Sequence, residues 1–78
     1  MALGYVLIIA APTHEHEVYN KLSKIPEVIE LLPLFGEYDL IAKIEAEDFE
    51  KLAEIVIKKI RSIEGVIDTK TLTGPKIL

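Results

Sequence analysis

The 78-residue sequence has no cysteine and no tryptophan, four glycines, four prolines and no surplus of basic residues. Without cysteine there are no disulfide staples, no thiolate metal ligands and no thiol nucleophile. Nine Lys and Arg against thirteen Asp and Glu leave a formal charge of −4. A chain so balanced lacks the positive footprint that phosphate backbones require, so direct DNA binding is not expected. The longest apolar run, Tyr5 to Ala11, is far below the roughly 20 residues that cross a bilayer. It also lacks a basic leader and a small-residue cleavage pattern, so the expected setting is the cytoplasm, away from membranes. The scattered glycines form no phosphate-cradling loop. His14 and His16 are the only histidines, and a lone H-x-H falls short of the three or four ligands of a zinc site, so the pair reads as a solvated helix start. Ser23 and Ser62 have no neighbouring His and acid, and the carboxylates sit at ion-pair spacing on helix surfaces. Neither nucleophilic nor paired acid–base catalysis has support, and no cofactor is implied.

What is present is a folding composition: 50% apolar and 28% charged residues, enough to exclude a disordered chain. Residues 1–78 are expected to form a single domain. A domain of this size buries a modest share of its surface, which makes self-association the expectation. Abundant Ile, Glu and Lys with almost no Asn or Gln point to a heat-adapted source.

Gly4 to Ala11 is a bulky apolar run closed by Pro12, which predicts a strand greasy on both faces. A helix is predicted from about Thr13 to Lys24. Thr13 would cap it, Glu15 and Glu17 would meet its positive end, and Val18, Tyr19, Leu22 and Ile25 would form its apolar stripe. Glu27 to Phe35 is predicted as a strand, placed at a sheet edge because Pro33 cannot donate to a ladder. Gly36 to Asp39 then forms a hairpin turn into a strand at Leu40 to Ala46. The following segment carries Phe49, Leu52, Ala53, Val56 and Ile60 on one helical face, with Glu47–Lys51 and Glu54–Lys58 available as i,i+4 pairs. Ile63 extends the stripe and Gly65 suits a C-terminal cap. A last strand is predicted over Val66 to Thr73, broken by Gly74 and Pro75, with Lys76, Ile77 and Leu78 left loose.

The order β-α-β-β-α-β is that of a ferredoxin-like α+β sandwich, a four-stranded antiparallel sheet with both helices on one face. The first and third strands would be central. The other face, apolar on the first strand, then needs a cover, and a second subunit is the simplest one. Two features remain for function. The turn Gly36-Glu37-Tyr38-Asp39 offers backbone N–H groups that suit a carboxylate, beside an Asp that suits an ammonium. Thr69, Thr71 and Thr73 share a face of the last strand and offer hydroxyls. The same residues are also ordinary turn and strand formers.

The GEYDL turn (Gly36 to Leu40), the helix closing in SIEGV and the strand VIDTKTLT together resemble the RAM domain, the effector-binding and oligomerisation module of Lrp/AsnC (feast/famine) transcriptional regulators. The resemblance runs over essentially the whole chain, with the family's G-x-x-D falling on Gly36 and Asp39. Ordinary members carry an N-terminal helix-turn-helix that reads DNA. That half is not in this sequence, so the likeness is to stand-alone RAM proteins of the dimeric α+β barrel type.

The resemblance implies face-to-face dimers assembled into rings, typically octamers, with a free amino acid held between dimers as effector. By position, Gly36, Glu37, Tyr38 and Asp39 would form the turn at the pocket, and Asp39 would serve the ammonium or the integrity of the turn. Leu34 and Phe35 would line the apolar side, and Thr69 and Thr71 would add polar contacts from the same or a neighbouring subunit. The implied partners are copies of itself and full-length Lrp/AsnC regulators. Two other readings stay open: a dimeric α+β-barrel enzyme of monooxygenase or isomerase type, and a purely structural oligomerisation module.

Overall fold

The computed structural model describes residues 1–75; the expectation for Lys76 to Leu78 lies outside the described residues. The elements run β1 (Ala2–Ala10), α1 (Glu15–Ser23), β2 (Val28–Pro33), β3 (Leu40–Ala46), α2 (Phe49–Ile55) and β4 (Val66–Pro75), and α2 continues as a π-helical turn over Val56–Ile60. The sheet is antiparallel in the order β2-β3-β1-β4, with β1 and β3 inside and Pro33 on an edge strand. This is the ferredoxin-like α+β sandwich.

The period of two along the strands sorts the sheet into two faces. Val6, Ile8 and Ala10 of β1 and Leu40, Ala42 and Ile44 of β3 are buried beneath the helices, against Val18 and Leu22 of α1 and Leu52, Ile55, Val56 and Ile60 beyond. Helix α2 approaches β1 closely because position 4 has no side chain. A Cβ there would lie 3.0 Å from Leu52 Cδ1. On the reverse face Leu3, Tyr5, Leu7 and Ile9 alternate with the core residues and are half-buried or exposed. Both faces of β1 are therefore apolar, yet the two helices cover only one.

The structure corrects several local expectations. Helix α1 starts at Glu15, with His14 at its N-cap and no side-chain cap. Thr13 is instead in a turn with φ 71°, where the chain reverses and His14 N–H donates to Ala11 O at 2.9 Å. In α2, Phe49 and Ala53 are exposed and Ile55 is buried, so the inward stripe is rotated from the one read off the sequence. The wide π turn places Val56 and Ile60 on the core side. Asp48 caps α2, accepting from Lys51 N–H at 2.8 Å. Lys51 turns to Glu54 at 4.0 Å, an i,i+3 contact, in place of the expected i,i+4 pair with Glu47. Gly65 has φ +101° but lies at the entry to β4, after a helix that ends at Ile60. Gly74 and Pro75 do not break β4. They pair with Leu3 and Ala2 at the outer edge of the sheet, where a proline is tolerated. Tyr5 is 39% exposed on the open face, whereas Tyr19 packs against the core.

Among the described residues, no helix is long and apolar enough to cross a membrane.

Candidate functional site

Residues 34–39 connect β2 to β3, and Asp39 closes that loop three ways. Its carbonyl accepts Leu34 N–H at 2.8 Å, its own N–H donates to Ile8 O at 2.9 Å, and its Oδ2 accepts Ala10 N–H at 2.8 Å. The loop is thus fastened to the last residues of β1. Gly36 takes φ +102° with nothing within 4 Å of where a Cβ would be, so the glycine meets a demand of the backbone, not of space. Phe35 projects fully into solvent, with a relative exposure of 105%. Glu37 is exposed and Tyr38 half-buried.

From Ala10 the chain turns through Pro12 and Thr13 into α1, which brings the first turns of that helix beside the loop. Between them lies an open groove of about 430 Å³, lined by Glu15, His16 and Tyr19 on the helix side and by Pro33, Leu34, Phe35, Asp39 and Leu40 on the loop side. The lining combines apolar surface with two carboxylates and an imidazole, and includes no Lys or Arg. Apolar walls with a few convergent polar groups are the composition that small-molecule sites have in general. Catalysis has less to work with. Among the described residues His16 has no hydrogen-bonded carboxylate, and Asp39 Oδ2 is already engaged by Ala10.

The predicted residues fall into three groups. Leu34, Phe35 and Asp39 line the groove. Gly36, Glu37 and Tyr38 build the loop beside it. Thr69 and Thr71 lie on β4, the edge strand opposite to β2. Thr69 is half-buried and pairs with Ile8. Thr71 lines a second groove of about 290 Å³ with Phe49, Leu52, Ala53, Val56, Ile57 and Thr73. Within one chain, therefore, Thr71 and the loop belong to separate depressions.

Sequence reasoning missed Glu15, His16 and Tyr19. The signal was the run PTHEHE two residues past β1, since β1 ends beside the hairpin loop and whatever follows it must start there too. Among the described residues, no group of three or more His, Asp or Glu is placed to hold a metal ion.

Residues 4–73 match the model of the Lrp/AsnC ligand binding domain. The transcriptional regulator FL11 of Pyrococcus furiosus, described as HTH-type, is 35% identical over 75 residues, covering 96% of this chain and 49% of that protein. The crystal structure of FFRP-DM1 superposes with a TM-score of 0.92 at 35% identity, over 96% of this chain and 100% of that one. A Neisseria meningitidis transcriptional regulator solved as a complex with L-Met shares the fold, with a TM-score of 0.86 at 20% identity over 99% of this chain and 51% of that one. The chain spans about half the length, or less, of the curated regulators it matches. With its loop, groove and sheet order in place and the match covering nearly all its residues, the chain belongs to the Lrp/AsnC ligand-binding domain family.

Proposed function

We propose that the domain is a non-enzymatic effector-binding module, in which a free amino acid occupies the groove between the start of α1 and the 34–39 loop. Backbone N–H groups of Gly36, Glu37 and Tyr38 serve the carboxylate, while Leu34 and Phe35 take the side chain. Thr69 and Thr71 enter from a neighbouring subunit. Asp39 acts first as the anchor of the loop. The observation that carries this reading is the triple fastening of Asp39 to Leu34, Ile8 and Ala10. It fixes the geometry of the groove wall before any ligand arrives, and such preorganisation lowers the cost of binding. The L-Met complex of the related fold supports the ligand class.

A second copy covers the open face of the sheet, and such dimers build a larger ring. Binding between subunits shifts assembly because it favours one arrangement over another. The regulated partners are this chain's own oligomer and full-length Lrp/AsnC regulators that share the domain.

The test is a thermal-shift screen of the twenty amino acids, followed by sedimentation with and without the best of them. One or a few should raise the melting temperature, by the equivalent of about 2.7 kcal/mol at a hundredfold excess over Kd, and should alter the oligomer distribution. A flat response to all twenty leaves a structural oligomerisation module and removes the effector.

A further inference from the structure

On the reading that a second copy covers the open sheet face, we propose that the cross-strand row Glu30–Lys43–Tyr5 decides which partner that face accepts: a copy whose matching row is neutralised within its own chain. Register places the three residues side by side, Glu30 opposite Lys43 and Lys43 opposite Tyr5, across β2, β3 and β1. The neighbouring row is Leu32, Ile41 and Leu7, and Leu3 lies on the other side of Tyr5 along β1. Lys43 therefore stands on an inner strand between Ile41 and Glu45, with Leu3, Tyr5 and Leu7 on the adjoining strand.

Its charge is answered inside the subunit. Lys43 Nζ is 3.5 Å from Glu30 Oε1 and 5.9 Å from the centroid of the Tyr5 ring, within reach of a cation–π attraction. The lysine side chain is already only 28% exposed. So this row presents no net charge, although the whole chain carries −4 and copies repel one another elsewhere.

Charge complementarity then identifies the occupant. Covering an ion pair that is satisfied within its own chain is tolerable, whereas covering one unpaired charge is strongly unfavourable. A copy of this face brings a row neutral in the same way, so at this row neither partner buries a bare charge. A related domain presenting an uncompensated lysine or carboxylate at this row is rejected, and rejection of wrong partners is what makes an interface specific. The row thus sorts self from non-self among domains of the same fold. It leaves the general adhesion of the face to Leu3, Leu7, Ile41 and Leu32.

The experiment is sedimentation velocity and native mass spectrometry of wild type, Lys43→Glu, Glu30→Lys, the charge-swapped double variant Glu30→Lys/Lys43→Glu, and Lys43→Met, each checked by circular dichroism. All these substitutions lie outside the helix-covered core, so the subunit fold is retained. Each single reversal should raise the dimer Kd at least about tenfold, and the swap should bring it back to within about threefold of wild type. Lys43→Met, which leaves the Glu30 carboxylate without its partner, should weaken the dimer in the same direction as the reversals, and both Lys43→Met and Lys43→Glu should give few mixed dimers with wild type. A dimeric wild type with an equally dimeric Lys43→Glu, or a folded double variant that stays weak, overturns the inference alone. A wild type that is monomeric at every concentration overturns the covering copy and the inference with it.

Discussion

The Asp39 carboxylate and the Ala10 backbone N–H, 29 residues apart in sequence, are joined at 2.8 Å, and this bond ties the hairpin loop to the end of a central strand. Asp39→Ala removes a charge-assisted acceptor and leaves a part-buried N–H without its partner. The cost should be about 1–3 kcal/mol, a fall in melting temperature on the order of 10 °C for a domain of this size. Asp39→Asn keeps an acceptor oxygen and should lose about half as much. Thermal unfolding of the three proteins checks the order. Equal melting temperatures for wild type and Asp39→Ala would mean the loop is held by its backbone bonds alone.

Two glycines with nearly the same backbone angle should respond differently to alanine. Gly36 has φ +102° and open space, whereas a Cβ at Gly65, φ +101°, would sit 3.0 Å from both His14 Cβ and Val18 Cγ2. Gly36→Ala should therefore cost only the backbone penalty, about 1–2 kcal/mol. Gly65→Ala should cost at least about 1 kcal/mol more, because crowding adds to the strain. Urea titrations give both numbers, and a Gly36 variant as unstable as the Gly65 one would contradict the geometry.

Thr13 is a β-branched residue at φ 71°, a conformation that such residues rarely adopt. Thr13→Gly should relieve the strain and raise stability, by about 0.5–1 kcal/mol after allowing for the freer unfolded chain. A loss of stability in the same urea titration would show that the Thr13 side chain makes a contribution larger than its strain.

What the sequence disclosed and what it withheld divide along physical lines. The element order, the inner and edge strands and the two-faced β1 follow from periodicity and from proline placement, which act locally. Ile55 in the core and Phe49 outside it were hidden, because a stripe read at 3.6 residues per turn takes no account of a π turn further along the helix. The hairpin loop could be read from Gly36 and Asp39, but not the partner of Asp39, since Ala10 offers only a backbone N–H. Glu15 and His16 looked like a solvated helix start, and Tyr19 like part of the apolar stripe, until the crossover from β1 placed them beside the loop. Thr69 and Thr71 were legible as a row. Their distance from the loop depends on strand order, since β4 pairs with β1 at the edge opposite β2.

Acid should weaken the contact between the start of β2 and the end of α2. Lys59 Nζ donates to both carboxylate oxygens of Glu27, at 3.0 and 3.1 Å. That bond first, and then the residue's own backbone N–H, hold Glu27 below the usual carboxylate range. Because its folded pKa is depressed, the stabilisation is present above the unfolded pKa and is lost as pH falls through the lower folded value. For a partly exposed pair it amounts to about 0.2–1 kcal/mol. Glu27→Gln should lower stability near neutral pH and converge with wild type in acid. Parallel curves down to the lowest pH would remove Glu27 from the acid response.

Thr71 separates a site confined to one subunit from a site shared between two. Its groove, with Phe49 and Ile57, is distinct from the one at Asp39, so its hydroxyl reaches an effector at the loop only from a neighbouring copy. Thr71→Val keeps the β-branched shape that suits a strand, so the ligand-free protein should stay within about 0.5 kcal/mol of wild type. The rise in melting temperature caused by the amino acid found in the screen should nevertheless shrink, because one polar contact to it is gone. Leu34→Ala, on the groove wall itself, should shrink that rise without needing a neighbour. If Thr71→Val responds to the amino acid as wild type does while Leu34→Ala does not, the site lies wholly between α1 and the loop of a single chain. Oligomerisation then acts on the effector only through the positions of α1 and the loop.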